Sequence, residues 1–214
     1  MSALYAAYVI IIYMGEILTN TKTNDKAIRK ELIKTLLELN DTLGVVQELE
    51  VARGRVRADV VRLSNCDIHA YEIKSDLDTL RRLPRQIRYY NEVFSTVTLV
   101  VGIDHVVEAL YIIPDWWGVI VAELNGTKLR LSPIRQEQRN THTNYEVMSD
   151  LLRRHELVKV LSAYGVSGSR HSMSKQKLIQ ETQQEISKES LVEQLAGALL
   201  ARKERLALNL QVTL

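Results

Sequence analysis

The chain has 214 residues, 46% hydrophobic and 25% charged, with a formal net charge of +2. Such a length allows one domain or one domain with a small appendage, and the composition is that of an ordinary soluble globular protein, without the global basic field of a histone-like chain. The single cysteine, Cys66, excludes an intrachain disulfide and a cysteine-based zinc site and fits a reducing, cytoplasmic setting. A Gly-rich phosphate loop, a nucleophile elbow and an H-E-x-x-H pattern are all missing, which argues against the common small-molecule enzyme classes.

In chain order, Ala3 to Tyr13 is an apolar run well short of the roughly 20 residues a membrane span needs. It also lacks the basic leader of a secretory signal. We read residues 1–23 as an N-terminal extension, either from an upstream start ahead of Met14 or as an extra strand or helix. Thr23-Asn24-Asp25 is a helix cap, and the helix it opens reaches about Leu39 with Ile28, Leu32, Thr35, Leu36 and Leu39 as its buried stripe.

Three runs with strand character follow, Val45 to Val51, Val56 to Leu63 and Ile68 to Ser75. The four-residue connections at 52–55 and 64–67 force antiparallel neighbours. If Val51 faces Val56 and Leu63 faces Ile68, then Glu48, Asp59 and Glu72 form a row of carboxylates on one face, with Glu50, Arg57 and Lys74 in the next row. Leu49, Ala58 and Ile73, and Gln47, Val60 and Tyr71, then fall on the opposite face. Like charges in a row destabilise a sheet, so something must compensate, and a divalent cation with oxygen ligands is the expected agent.

Ser75-Asp76 leads into a short helix containing Leu77 and Leu80, and Pro84 suits the first turn of a second helix. Gln86 and Tyr90 lie four apart on that helix, and Arg81, Arg82, Arg85 and Arg88 share the segment. From Arg53 to Tyr90 there are nine Lys/Arg against five Asp/Glu, a balance suited to phosphate contacts around an acidic pocket and equally to a solvated mixed-charge face. Thr96 to Ile103 reads as a central strand, Asp104 to Leu110 as a short helix, and Trp117 to Leu124 as a strand that turns at Asn125-Gly126 into Thr127 to Ser132. Trp116-Trp117 reads as sheet packing ahead of base stacking. The polar stretch 133–144 is a linker, and 145–214 is a helical subdomain with helices at about 144–164, 174–187 and 190–209. Gly165 to Ser172 reads as a flexible connection, and the basic residues from Arg153 to Lys177 suit a nucleic-acid contact, a helical cap or a dimer contact.

Asp59, then Glu72-Ile73-Lys74 one hairpin later, resembles the signature of the PD-(D/E)XK nuclease superfamily, with Ala58 in place of the motif's proline. Gln86-Ile87-Arg88-Tyr89-Tyr90 resembles the Q-x-x-x-Y helix of its RecB-like branch, and the combination resembles a compact bacterial family within it. The resemblance implies an α/β fold with a restriction-endonuclease-like core over 24–132, ordered helix, three-stranded antiparallel meander, helix, strand, helix, strand, and a C-terminal helical appendage. It implies a Mg²⁺-dependent deoxyribonuclease, with Mn²⁺ able to substitute, in DNA repair or defence. Asp59, Glu72, Glu48 and the Ile73 carbonyl would hold the metal, and Lys74 would assist the attacking water. Gln86, Tyr90, Arg57, Arg82 and Arg85 would meet substrate. DNA is the expected partner, RNA the other nucleic acid to try, and a homodimer is compatible. The alternative is a module of the same fold that binds nucleic acid or a protein without cutting.

Overall fold

A computed structural model describes residues 22–166, 170 and 172–212. The apolar run from Ala3 to Tyr13, and half of the connection from Gly165 to Ser172, lie outside the described residues.

The protein is a mixed α/β structure built on one six-stranded sheet, with strands in chain order β1 to β6. The first helix, α1 (Asp25–Leu37), is capped by the Asn24 side chain, which accepts from the Ala27 N–H at 2.9 Å. Ile28, Leu32 and Leu36 are its buried stripe. Leu39, expected in that stripe, is 44% exposed because the helix ends at Leu37.

Strands β1 (Gly44–Val51), β2 (Val56–Leu63) and β3 (Ile68–Lys74) form the antiparallel meander, with Val51 opposite Val56 and Leu63 opposite Ile68 as expected. A 3₁₀ turn at Leu80–Arg82 leads into α2 (Leu83–Val93), with Pro84 in its first turn, where a missing N–H is harmless. Strand β4 (Thr96–Gly102) then pairs parallel to β3. The short α3 (Val106–Ile112) leads to β5 (Gly118–Asn125), parallel to β4, and Asn125-Gly126 turns the chain into the antiparallel β6 (Lys128–Arg135). β6 therefore carries three residues into the stretch read as linker.

Beyond it, α4 (Tyr145–Ser149), α5 (Arg154–Ala163), α6 (Lys175–Glu185) and α7 (Lys188–Val212) complete the chain. The one helix expected over 144–164 is two. Asp150 caps the C-terminus of α4, and the Glu156 carboxylate accepts the Arg153 N–H at 2.7 Å, starting α5 afresh.

Two apolar layers flank the sheet. On one face Val45, Val60, Tyr71, Ile73 and Val100 pack on α1. On the other, Ala58, Val61, Ile68, Leu99 and Val119 pack with Tyr90 and Phe94, and with Met148, Leu157, Leu178 and Leu195 of the C-terminal helices, in one continuous cluster. Among the described residues no helix is long and apolar enough to cross a membrane.

The meander departs from simple alternation in a way that bears on the site. Along β2, Ala58 and Val61 belong to the α2 side while Val60 belongs to the α1 side. Along β1, Val45 is on the α1 side, whereas Val46 and Leu49 are both on the other. Both strands therefore change face between these points while their pairing keeps one register. The change coincides with Glu48, whose φ of 54° is left-handed. Leu49 and Ala58 thus lie opposite to the face expected for them.

Candidate functional site

A cleft of about 510 Å³ opens between the β1–β2 hairpin and α2. Glu48, Arg57, Asp59, Glu72, Ile73, Lys74, Arg82, Arg85 and Gln86 all line it. Tyr90, the remaining residue singled out from the sequence, lies fully buried beneath it.

Glu72 is at the centre and has no exposed surface. Lys74, two residues along the same strand and hence on the same face, donates to its Oε1. Gln86 Nε2 donates to that same oxygen. The Tyr90 hydroxyl lies 2.6 Å from Glu72 Oε2 and 2.9 Å from the Arg57 carbonyl, so it holds the carboxylate and the hairpin backbone together. Burial, with the Asp59 charge behind it, pushes the Glu72 carboxyl up to about 7, against the opposing pull of Lys74 and Tyr90. Burial likewise holds the Tyr90 phenol well above its ordinary range, reinforced by Glu72.

Asp59 does not stand in a regular row with Glu72. The β2–β3 pairing ends at Val60 opposite Tyr71, and beyond it Asp59 Oδ2 accepts the Ile73 N–H at 2.8 Å in place of a ladder bond. Its other oxygen turns to Arg29 on α1, 3.2 Å from Nη2. Arg29 also lies 2.9 Å from Glu48 Oε1 and 3.0 Å from Asp25 Oδ2, and donates to the Asp59 carbonyl at 2.7 Å. Burial raises the Asp59 carboxyl, with the Ile73 N–H, Lys74 and Arg29 drawing it down. Glu48 is met from the other side by Arg57 at 3.4 Å, and Arg57 does so although Glu50 is the residue paired opposite it.

The charge compensation expected of a cation is thus supplied from within the chain. Arg29 answers Asp25, Glu48 and Asp59, and Lys74 answers Glu72. Among the described residues no group of three or more His, Cys, Asp or Glu is placed to share a metal ion. With Glu72 committed to Lys74, Gln86 and Tyr90, and Asp59 to Arg29 and an N–H, the donor set as arranged does not fit a resident divalent ion.

Sequence reasoning missed Arg29. The available signal was an arginine next to the buried Ile28 on the helix facing the sheet, with Asp25 four residues before it. It missed Arg55 too, which lines the cleft from the hairpin tip and lies 3.5 Å from the Tyr89 hydroxyl. Trp117 is fully buried, its Nε1 donating to Asn91 at 3.0 Å, and so serves packing. Asp76 and Asp78 are structural: Asp76 accepts from Thr23 N, Thr23 Oγ1 and Asp104 N, and Asp78 from Ser75 N and Oγ.

A family model described as Bacteriophage P4 protein cII matches residues 19–211. The chain belongs to the bacteriophage P4 protein cII family. Protein cII of Enterobacteria phage P4 is 30% identical to it over 125 residues, 58% of this chain and 47% of that protein. The aligned segment thus spans about half of the relative's length. No solved structure matches the chain. Membership of the P4 cII family overturns the resemblance to the PD-(D/E)XK superfamily. With it fall the expectation of a deoxyribonuclease and the hydrolase and metal-binding roles attached to that expectation. The short patterns that carried the resemblance have a structural account here: Gln86 and Tyr90 are spaced to hold Glu72, and Lys74 to neutralise it.

Proposed function

We propose that this P4 cII family member is a nucleic-acid-binding module that does not cut, with the cleft and its rim as the surface that takes the DNA backbone. The observation that carries the reading is the division of charge between floor and rim. Five carboxylates line the cleft, Asp25, Glu48, Asp59, Glu72 and Asp78, against five cationic side chains, Arg55, Arg57, Lys74, Arg82 and Arg85. Arg29, bridging three of those carboxylates, adds a further cation to the floor.

Asp25, Glu48, Asp59 and Glu72 are therefore answered by Arg29 and Lys74, and Asp78 is held by Ser75, while Arg55, Arg57, Arg82 and Arg85 are exposed. Among the described residues Arg82 and Arg85 form no ion pair, so their charge is available to phosphate. Phosphate contacts of this kind give affinity without sequence reading, and the affinity falls with salt as counterions are released. The element order also fits a restriction-endonuclease-like core, which serves here as a rigid platform for binding. A cytoplasmic setting, where DNA is met, belongs to the same reading.

The test is a fluorescence-anisotropy titration of labelled duplex DNA at several salt concentrations, with single-stranded DNA and RNA alongside. Binding should weaken linearly in log–log form, and Arg82→Ala with Arg85→Ala should reduce the slope by about 2 on duplex DNA, at roughly 0.9 per phosphate contact. The DNA should be recovered at full length with Mg²⁺ present. A protein that associates with none of the three, or whose slope ignores both substitutions, sinks the proposal.

A further inference from the structure

A second concave surface lies on the far side of β1, outside the cleft. β1 ends the sheet among the described residues, so one side of its backbone has no partner strand. A groove of about 640 Å³ runs between that strand, the C-terminal half of α1 and α7. It is largely apolar. Leu37 and Leu206 line it while 56% and 65% exposed, and half-buried Ile33 and Leu49 lie beside them. Leu39 and Leu43, on the connection that leads from α1 into β1, are exposed as well. Leu37 and Leu206, two of the eight large apolar side chains exposed among the described residues, therefore share one groove, which marks a contact surface.

The charges around the groove say what fits it. Glu50 stands on β1 beside Glu48, which is already paired with Arg29 and Arg57, while Arg153, Arg202 and Lys203 stand along the other wall. Arg202 is committed to Glu156. Glu50 and Lys203, both exposed, form no ion pair among the described residues. An acidic side chain on one wall and a basic one on the other, with apolar surface between them, are complementary to themselves: a two-fold rotation lays Glu50 on Lys203 of a second copy and Lys203 on its Glu50.

We propose that this face is a two-fold interface between two copies of the chain, with Leu37 and Leu206 at its centre and Glu50 of each copy meeting Lys203 of the other. The proposal stands on the groove alone and does not depend on the reading of the cleft. It has a consequence for the cleft, because Glu48 and Arg57 line both surfaces, so a docked copy adjoins the cleft wall.

Sedimentation velocity of the full chain over a range of concentrations tests this. The expected result is a species of twice 24.5 kDa that dissociates on dilution. Leu37→Lys and Leu206→Lys alter side chains already more than half exposed, so each should give a monomer with an unchanged circular dichroism spectrum. Glu50→Lys and Lys203→Glu should each weaken association by about tenfold or more, and the two together should restore it. A chain that stays monomeric at the highest soluble concentration overturns the proposal, whether the groove is then covered by the chain's own apolar residues 3–13 or by another protein. A dimer indifferent to all of these substitutions overturns it too, since its interface would lie on a different face.

Discussion

Glu72 is the residue on which the cleft turns, and its ionisation opposes folding. Its carboxyl sits near 7 in the folded protein against an ordinary 4.5, so the folded state holds the proton more tightly than the unfolded one. Stability from this group is complete below about pH 4.5 and is lost as pH rises through 7. Glu72→Gln keeps the shape without the charge, so in urea titrations it should lose less stability than the parent between those two values. Asp59 and Asp67 are raised as well and act with the same sign in both proteins, so the difference between the two curves reports Glu72 together with its coupling to Asp59. His69, buried against Thr98 and Tyr71, is depressed to about 3 and works in the opposite sense, removing stability as pH falls from about 6.5. Equal pH dependence of the parent and Glu72→Gln would show that the carboxyl is not perturbed. At this scale the sequence was informative about which acids converge, since the hairpin lengths set the register. It was silent about Arg29, because how a helix lies on a sheet is not written in spacing along the chain.

At the scale of elements, the β1–β2 hairpin is the unusual piece. Ala52, Arg53 and Gly54 all have positive φ, at 52°, 60° and 80°, so three consecutive residues occupy a region in which only glycine is unstrained. The tip is held down by Arg53, whose Nε lies 3.2 Å from Asp150 Oδ2 at the end of α4. Left-handed backbone costs a residue with a side chain about 1–2 kcal/mol, and glycine's extra freedom when unfolded returns roughly 0.5–1 of that. Ala52→Gly should therefore raise stability by about 0.5–1 kcal/mol in denaturant titration. A loss instead would mean that the packing of the Ala52 methyl against the core outweighs the strain. The bend at Glu48 belongs to the same element. Its glutamate gave no warning in the sequence, since nothing local demands a left-handed residue there and the face change is imposed by the two layers the hairpin must serve.

For the molecule as a whole, the C-terminal helices share one apolar cluster with the sheet, from Val51 and Val61 to Leu157, Leu178 and Leu195. Leu157→Ala, at a fully buried position, should cost about 2–5 kcal/mol. It should also shift a single unfolding transition, followed by the fluorescence of Trp116 and Trp117 beside the sheet and by helical circular dichroism together. Separate transitions for the two probes would mean that the helices fold as a unit of their own.

The sequence by itself determined the order of elements through the sheet, the meander register from its four-residue connections, and many of the residues around the cleft, because periodicity and short loops are local constraints. Only the tertiary structure decided what those residues face. α1 delivers Arg29 to the carboxylates across the sheet, the left-handed turn at Glu48 rotates the hairpin's outer half, and Glu156 divides one expected helix into two. Each of these is settled by contacts between segments far apart in the chain. A motif of a few residues cannot encode them, and for the same reason the nuclease-like pattern of Asp59, Glu72 and Lys74 did not identify the family.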